Sequence, residues 1–416
     1  MAQLLGIRIR NYRSLRDVTL GQTGYGEGVP LPHLVCLIGA NGCGKSTVLD
    51  AFGFLADCLR DGVEAACDRP HRGGFERLRT QGSTEPISFA LYYREATNAR
   101  PITYELDFDL EDGRPIVARE LLKQRRKKQK RGRPFPFLRL ERGVGEAWSG
   151  EATEGEETAN RVEVNLDDMT RLGITTLGQL REHPRILGLR AYIEGWYLSY
   201  FVPDDMRTLQ VAGAQRHLDR EGKNVSNYLQ HLQRSHPDHL QRALDEVSRK
   251  IPGVKRIGCE TSQDRRLLIR FEMEGYAQPF YQADMSDGTL KLFAYMLLLE
   301  DPEPQPLIGI EEPENGLYHQ LLYGLAREFF ERAEDDRHTQ VFVTTHSPAF
   351  VDALGPDNVW VLRKRSEGDV SAECCGASAE IRALVEEGIP LGSLWFSRHL
   401  EADVAGTQSR GESASR

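Results

Sequence analysis

The feature that most constrains this 416-residue sequence is one short run: Gly39, Ala40, Asn41, Gly42, Cys43, Gly44, Lys45 and Ser46. Residues 33–38 before it are a nearly unbroken apolar stretch, as a strand buried on both faces requires. After it, Val48, Leu49, Phe52 and Leu55 recur at helical spacing. The glycines let the backbone turn tightly, so successive N–H groups converge on one point at a helix N-terminus. Strand, glycine turn and helix in that order read as a phosphate-binding loop. Lys45 supplies a point charge to the β- and γ-phosphates, and the Ser46 hydroxyl suits a Mg²⁺ ligand. The expected nucleotide contacts are Gly39, Asn41, Gly42, Cys43, Gly44, Lys45, Ser46 and Thr47. The competing reading is a glycine turn followed by Lys-Ser through chance.

Three further motifs follow in a fixed order. Ser286, Asp287 and Gly288 precede a helix carrying Leu292, Tyr295, Met296 and Leu299. This is either a second anion cup or a plain cap with Ser286 or Asp287 as the N-cap residue. Residues 307–310 form an apolar strand tipped by Glu311 and Glu312. The first acid is placed for a Mg²⁺ shell and the second to polarise an attacking water, unless both simply favour the positive end of a following helix. Thr344, Thr345, His346 and Ser347 close another apolar strand, where His346 is either a γ-phosphate contact or structural.

Composition and charge narrow the class. The chain is 40% hydrophobic and 28% charged, which is ordinary for a globular protein. Its best apolar run, 292–299, is far short of the roughly 20 residues that cross a bilayer. Arginine interrupts the first ten residues, unlike a signal peptide, and the seven scattered cysteines contain no Cys-x-x-Cys pair. Reduced thiols, a cytoplasmic location and no membrane contact are the expectations. Net charge is -9, yet residues 123–133 are almost wholly basic and residues 146–157 run acidic, as in solvated segments. Strand-like alternation fills 86–149. The expected organisation is a nucleotide-binding lobe at 1–110, an insertion with a basic hairpin at 111–205, a second lobe at 206–300, the rest of the nucleotide-binding lobe at 301–400 and a disordered tail at 401–416. The fold class is α/β, a nucleotide-binding head carrying a strand-rich and helical insertion.

Phosphate loop, Ser-Asp-Gly helix, acid-tipped strand and His-tipped strand are the ordered parts of ABC-type ATPases. The opening strand adds Asn11, Tyr12, Arg13 and Ser14, and the acid strand continues as Pro313, Glu314, Asn315, Gly316 and Leu317. In these motifs the sequence resembles the RecF/SMC/OLD-like branch of ABC-type predicted ATPases rather than transporter subunits. The resemblance implies an ABC-ATPase head binding ATP and Mg²⁺. Two copies would pair head to tail, each site taking the phosphate loop from one subunit and Ser286, Asp287 and Gly288 from the other. Glu312 would be the catalytic base, Glu311 and Ser46 the metal ligands, and Lys45 and His346 the phosphate contacts, with Asn11 and Arg13 near the nucleotide. Glu311 stands where that branch usually has Asp, and the loop after Glu312 lacks the usual Asp. The glutamine that normally joins metal to second lobe has no clear counterpart, Gln124 and Gln129 being poor matches.

The same resemblance, with the basic run, implies DNA-linked work in bacterial defence or repair beside a separately encoded nuclease. The alternative is an ATP-gated module that holds and releases a toxin or effector.

Overall fold

The computed structural model describes residues 2–26, 28–126, 132–149, 161–213, 215–335, 339–365, 369–397 and 399–400. The expected tail at 401–416, Gln129 and parts of the basic and acidic runs lie outside the described residues. The strands, in chain order, are β1 (Gln3–Tyr12), β2 (Leu15–Gly21), β3 (Leu34–Ile38), β4 (Ile87–Arg94), β5 (Ile102–Glu111), β6 (Arg114–Gln124), β7 (Phe135–Glu141), β8 (Val144–Trp148) and β9 (Arg161–Asn165). Then come β10 (Trp196–Ser199), β11 (Val254–Thr261), β12 (Leu267–Met273), β13 (Phe280–Tyr281), β14 (Leu307–Glu311), β15 (Gln340–Thr344), β16 (Val359–Lys364) and β17 (Val370–Cys374).

A six-stranded sheet in the order β10-β14-β15-β3-β16-β17 carries the motifs, parallel throughout except for β17. Its central strands β14, β15, β3 and β16 are buried on both faces, and their side chains divide between two cores with period two. Val35 and Leu37 of β3 enter one core with Phe342 and Leu362, while Leu34, Cys36 and Ile38 enter the other with Val341, Val343 and Val361. The first core is closed by the helix Lys45–Asp61 and an eight-stranded antiparallel sheet, β2-β1-β4-β5-β6-β7-β8-β9. The second is closed by the helices Val225–Ser235, Pro237–Lys250, Asp287–Leu299 and His319–Asp335, with a three-stranded sheet β11-β12-β13 alongside.

Residues 110 and 111, where the sequence suggests a boundary, sit at the end of β5, and β5 and β6 are neighbours in one sheet. The opening hairpin and the strand-rich stretch are thus one ladder, joined where β1 pairs with β4. Helices Gly173–Leu177 and Pro184–Glu194 occupy the stretch that carries no motif. The first is anchored by Glu120 of β6, which is 1% exposed and accepts from the backbone N–H groups of Gly173 and Ile174. The helix His319–Asp335 begins after a turn that Gly316 holds at φ 80°.

A candidate nucleotide site at the strand ends

β14, β15 and β3 lie side by side and parallel, so their C-terminal ends open onto one crevice, the usual ligand position in such sheets. At the end of β3, Gly39 has φ 145°, and a Cβ there would stand 2.3 Å from the Leu362 carbonyl oxygen. No other residue fits a turn pressed so closely on β16. Gly44 caps the helix Lys45–Asp61, whose first turn holds no acid to offset its positive end. Lys45 is 5% exposed and its Nζ donates to the carbonyls of Gly39 (3.0 Å) and Ala40 (3.2 Å). Burial pulls the Lys45 ammonium below its ordinary pKa, against Cys43 and the carboxylates of Glu312, Glu314 and Glu311. Asn41, Gly42 and Ser46 are exposed and Thr47 is half-buried.

β14 delivers the two acids differently. Glu311 ends the strand in register with Thr344 of β15. Its carboxylate has no hydrogen bond or ion pair among the described residues. Glu312 turns out of the strand at φ 42°, a left-handed conformation that costs a non-glycine residue about 1–3 kcal/mol. Its N–H is held by the Thr344 carbonyl (3.0 Å) and hydroxyl (3.2 Å). Asn315 Nδ2 donates to Glu312 Oε2 at 2.9 Å, and His346 Nε2 lies 3.3 Å from Oε1. The expected base and the expected histidine are therefore in contact. Glu314, half-buried behind them, accepts the His346 N–H, and burial raises its carboxyl above the ordinary value.

The Ser286 turn is built as an N-cap: Ser286 Oγ accepts from Thr289 N at 3.2 Å and starts the helix Asp287–Leu299. Arg207 pairs with Asp287 at 2.5 Å. A Cβ at Gly288 would stand 2.9 Å from the Gly316 carbonyl, so this turn packs on the loop after Glu312. Lys291, 7% exposed, donates to the Asn315 carbonyl at 2.7 Å. Asn315 thereby joins the Ser286 helix to Glu312. Among the described residues, no hydrogen bond or ion pair joins Ser286, Asp287 or Gly288 to the phosphate loop.

The turn after β1 holds Asn11 at φ 55° and Arg13 at φ 51°. The Asn11 amide donates to the Pro86 carbonyl (3.2 Å). Arg13 donates to the His71 carbonyl (2.8 Å) and lies 3.4 Å from Asp50. Arg13, Ser46, Asp50, His71, Arg220 and Glu311 are among the residues lining a cavity of about 130 Å³. Asp50 also accepts from Tyr12 (2.7 Å) and from Arg72 (3.0 Å), whose side chain is 1% exposed. Burial pushes the Asp50 carboxyl up, but Arg72, Tyr12 and Arg13 outweigh it and leave the pKa below the usual aspartate value.

The donor set fits a hard cation. The Ser46 hydroxyl and the unpartnered Glu311 carboxylate border one small cavity, and Mg²⁺ keeps several waters and takes its remaining ligands from one or two carboxylates and from phosphate. Among the described residues there is no cluster of three His, Cys, Asp or Glu that holds a metal without such help.

The sequence motifs include Thr344, Glu314 and Asn315 without giving them a role, and Asp50 and Lys291 stand out only in the structure. Asp50, one helical turn after Ser46, and Asn315, three residues after Glu312, were the accessible signals. Gln124 is spent elsewhere, bonding the Arg100 carbonyl and Arg185. The strand next to the acid strand, β10, ends instead in Ser199, opposite Ile310. In the basic run, Lys123 pairs with Glu105, while Arg125 and Arg126 stack on Tyr25 and Phe135. Residues 127–131 lie outside the described residues. No described helix is long and apolar enough to cross a membrane.

Comparison with known proteins accords with this geometry. No curated protein sequence matches the chain. Among solved structures, an Smc head bound to the C-winged helix domain of ScpA superposes with a TM-score of 0.52 and 16% identity, covering 89% of this chain and 97% of that one. An Smc head domain with an extended coiled coil bound to the C-terminal domain of ScpA, derived from Pyrococcus furiosus, gives 0.51 and 14%, covering 93% and 100%. At such identities the likeness carries the fold, that of an ABC-ATPase head. Residues 34–352 match the family described as "AAA domain, putative AbiEii toxin, Type IV TA system". The chain belongs to that AAA-domain family, and its fold is that of an SMC-type ATPase head.

Proposed function

We propose that this chain is a Mg²⁺-dependent ATPase that works as a pair of heads closed around two ATP molecules. The observation that carries the reading is the division of its parts. Lys45, Glu311, Glu312 and His346 converge on one crevice, whereas the Ser286 turn packs behind Glu312 with no bond to the phosphate loop among the described residues. A second copy placed head to tail would set its Ser286 turn against the phosphates of the first.

In this reading the loop amides and Lys45 hold the β- and γ-phosphates, and Ser46 and Glu311 hold the metal, which neutralises phosphate charge when bound. Glu312 orients the attacking water and accepts its proton. Asn315 and His346 fix the two Glu312 oxygens, so the carboxylate is aimed before substrate arrives. The left-handed backbone at Glu312 belongs with this role. ATP in the interface stabilises the pair, by about 4 kcal/mol at a thousand times its dissociation constant. Size exclusion of Glu312→Gln with Mg-ATP tests it: an ATP-dependent dimer is expected, and a monomer under all conditions contradicts it.

For the work that hydrolysis drives, we favour DNA-linked defence or repair with a separate nuclease, supported by the RecF/SMC-like fold and the basic run at 123–133. A second reading, an ATP-gated module that holds and releases a toxin or effector, is favoured by two observations. The family description names a toxin, and Lys123, Arg125 and Arg126 already have partners within the chain. Salt-titrated DNA binding separates the two, since each phosphate contact contributes about -0.9 to the log-log slope. Partner co-purification with and without ATP reads the alternative.

A further inference from the structure

The cavity beside Ser46 and Glu311 lies at the strand ends against Leu49 and Leu198 of the first core, and its charges are unevenly satisfied. Its acids are Asp50 and Glu311, its cations are Arg13 and Arg220, and the His71 imidazole lies beside them. Asp50 is filled by Tyr12, Arg72, Arg13 and His71. Arg13 is held by Asp50 and the His71 carbonyl. The Arg220 guanidinium has no hydrogen bond or ion pair among the described residues. An unpaired arginine is ordinarily a solvated surface charge. This one is exposed too, but it lines a cavity shared with the expected metal ligands, and its field reaches His71, whose pKa is lowered first by burial and then by Arg72 and Arg220.

The backbone that carries Arg220 is tightly tied. Tyr197 Oη donates to the Asp219 carbonyl (2.8 Å), Tyr200 N to the Arg220 carbonyl (2.8 Å) and Val202 N to the Glu221 carbonyl (3.0 Å). These bonds fasten residues 219–221 to the end of β10, the strand beside the acid strand. On the other side, Asn224 Oδ1 accepts from Asp219 N at 2.8 Å and leads into the helix Val225–Ser235. That helix buries Tyr228, Leu229 and Leu232 in the same core as Leu290 and Phe293 of the Ser286 helix. Arg220 therefore stands between the phosphate crevice and the core that carries the Ser286 turn.

We propose that Arg220 is a terminal-phosphate sensor: its guanidinium binds a γ-phosphate oxygen of ATP held by the phosphate loop of the same chain. It fills the place left by the missing bridging glutamine, linking nucleotide to the second core through residues 219–224. A guanidinium does not ligate Mg²⁺, so the partner it seeks beside Ser46 and Glu311 is an anion, and its planar fork suits phosphate. The proposal rests on the nucleotide-site reading above.

The test is calorimetric binding of Mg-AMP-PNP and Mg-ADP to the full chain, its Arg220→Ala variant and its Arg220→Lys variant. Loss of a charge-assisted hydrogen bond predicts that Arg220→Ala weakens AMP-PNP binding roughly ten- to a hundredfold. ADP binding stays within about threefold, which also certifies the fold, and Arg220→Lys recovers part of the loss. Hydrogen exchange supplies a second readout: AMP-PNP protects residues 225–235 in the natural chain and not in Arg220→Ala. If the natural chain binds neither nucleotide, the nucleotide reading and this assignment fall together. If it binds both and Arg220→Ala keeps the natural preference for AMP-PNP, the Arg220 assignment alone is overturned.

Discussion

The Lys45–Glu312 crevice and the Ser286 turn, both proposed to meet phosphate, are built in opposite ways. In the crevice Lys45 and Glu312 are fixed by their own chain: Lys45 by loop carbonyls, Glu312 by Thr344, Asn315 and His346. Around the Ser286 turn the bonds run from Ser286 to Thr289 and from Arg207 to Asp287 and the Met285 carbonyl, and Ser286 and Asp287 remain exposed. A catalytic carboxylate must be aimed in advance, because reorganisation during reaction raises the barrier. A surface that completes another copy's site must instead stay open. The two are coupled through Asn315, whose side chain serves Glu312 and whose carbonyl takes the Lys291 ammonium.

The largest expected effect breaks the first site alone. Glu312→Gln lowers kcat by about 10²–10⁴-fold, the usual worth of a positioned general base, with ATP binding retained. Unchanged turnover in a phosphate-release assay would move the base elsewhere. Next comes the scaffold under the crevice. Asp50→Ala strands the buried Arg72 guanidinium, which also pairs with Asp57, and should cost about 3–5 kcal/mol in denaturant unfolding. A loss below ~1 kcal/mol would mean that Asp57 suffices.

That same pair predicts a pH dependence of definite sign. The folded Asp50 pKa lies below its unfolded value, so its contribution is fully present above the unfolded pKa of about 3.9 and is lost as pH falls through the lower folded value. The stability difference between the natural chain and Asp50→Asn should therefore hold from neutral pH to about 4 and shrink below it. A difference that shrinks near pH 6 would point to His71 instead. Smaller again, Asn315→Ala removes one hydrogen bond from Glu312 and should reduce kcat by about tenfold, since a bond to a charged group is worth about 1.5–3 kcal/mol. Lys291→Met tests the other end of the link and should flatten the ATP dependence of turnover with less effect on its maximum.

Much of the first site was legible in the sequence because its chemistry is local. The apolar run at 33–38, the glycine spacing and the helix after Lys45 fix one another within 30 residues, and the same holds for β14 with Glu311 and Glu312. What escaped depends on contacts between segments remote in sequence. The Lys291–Asn315 bond and the Asp50–Arg72–Tyr12 cluster join residues that no periodicity relates. The pairing of β1 with β4, across some 75 residues, is equally invisible to alternation, which tells which face is wet and not which strand is next door. Arg220 carries no local signal at all, being one arginine in a polar loop.

The central claim, two incomplete halves that complete each other between copies, is tested most directly by mixing two inactive variants. Glu312→Gln lacks the base, and Ser286→Arg blocks the turn offered to the partner. Each alone should be inactive. In a mixed dimer the Ser286→Arg chain keeps its own Glu312 and receives an intact Ser286 turn from the other chain. Equal mixing should restore turnover to about a quarter of the natural level, since half the dimers carry one whole site of two. A mixture as inactive as its components, or full activity in Ser286→Arg alone, would contradict the account.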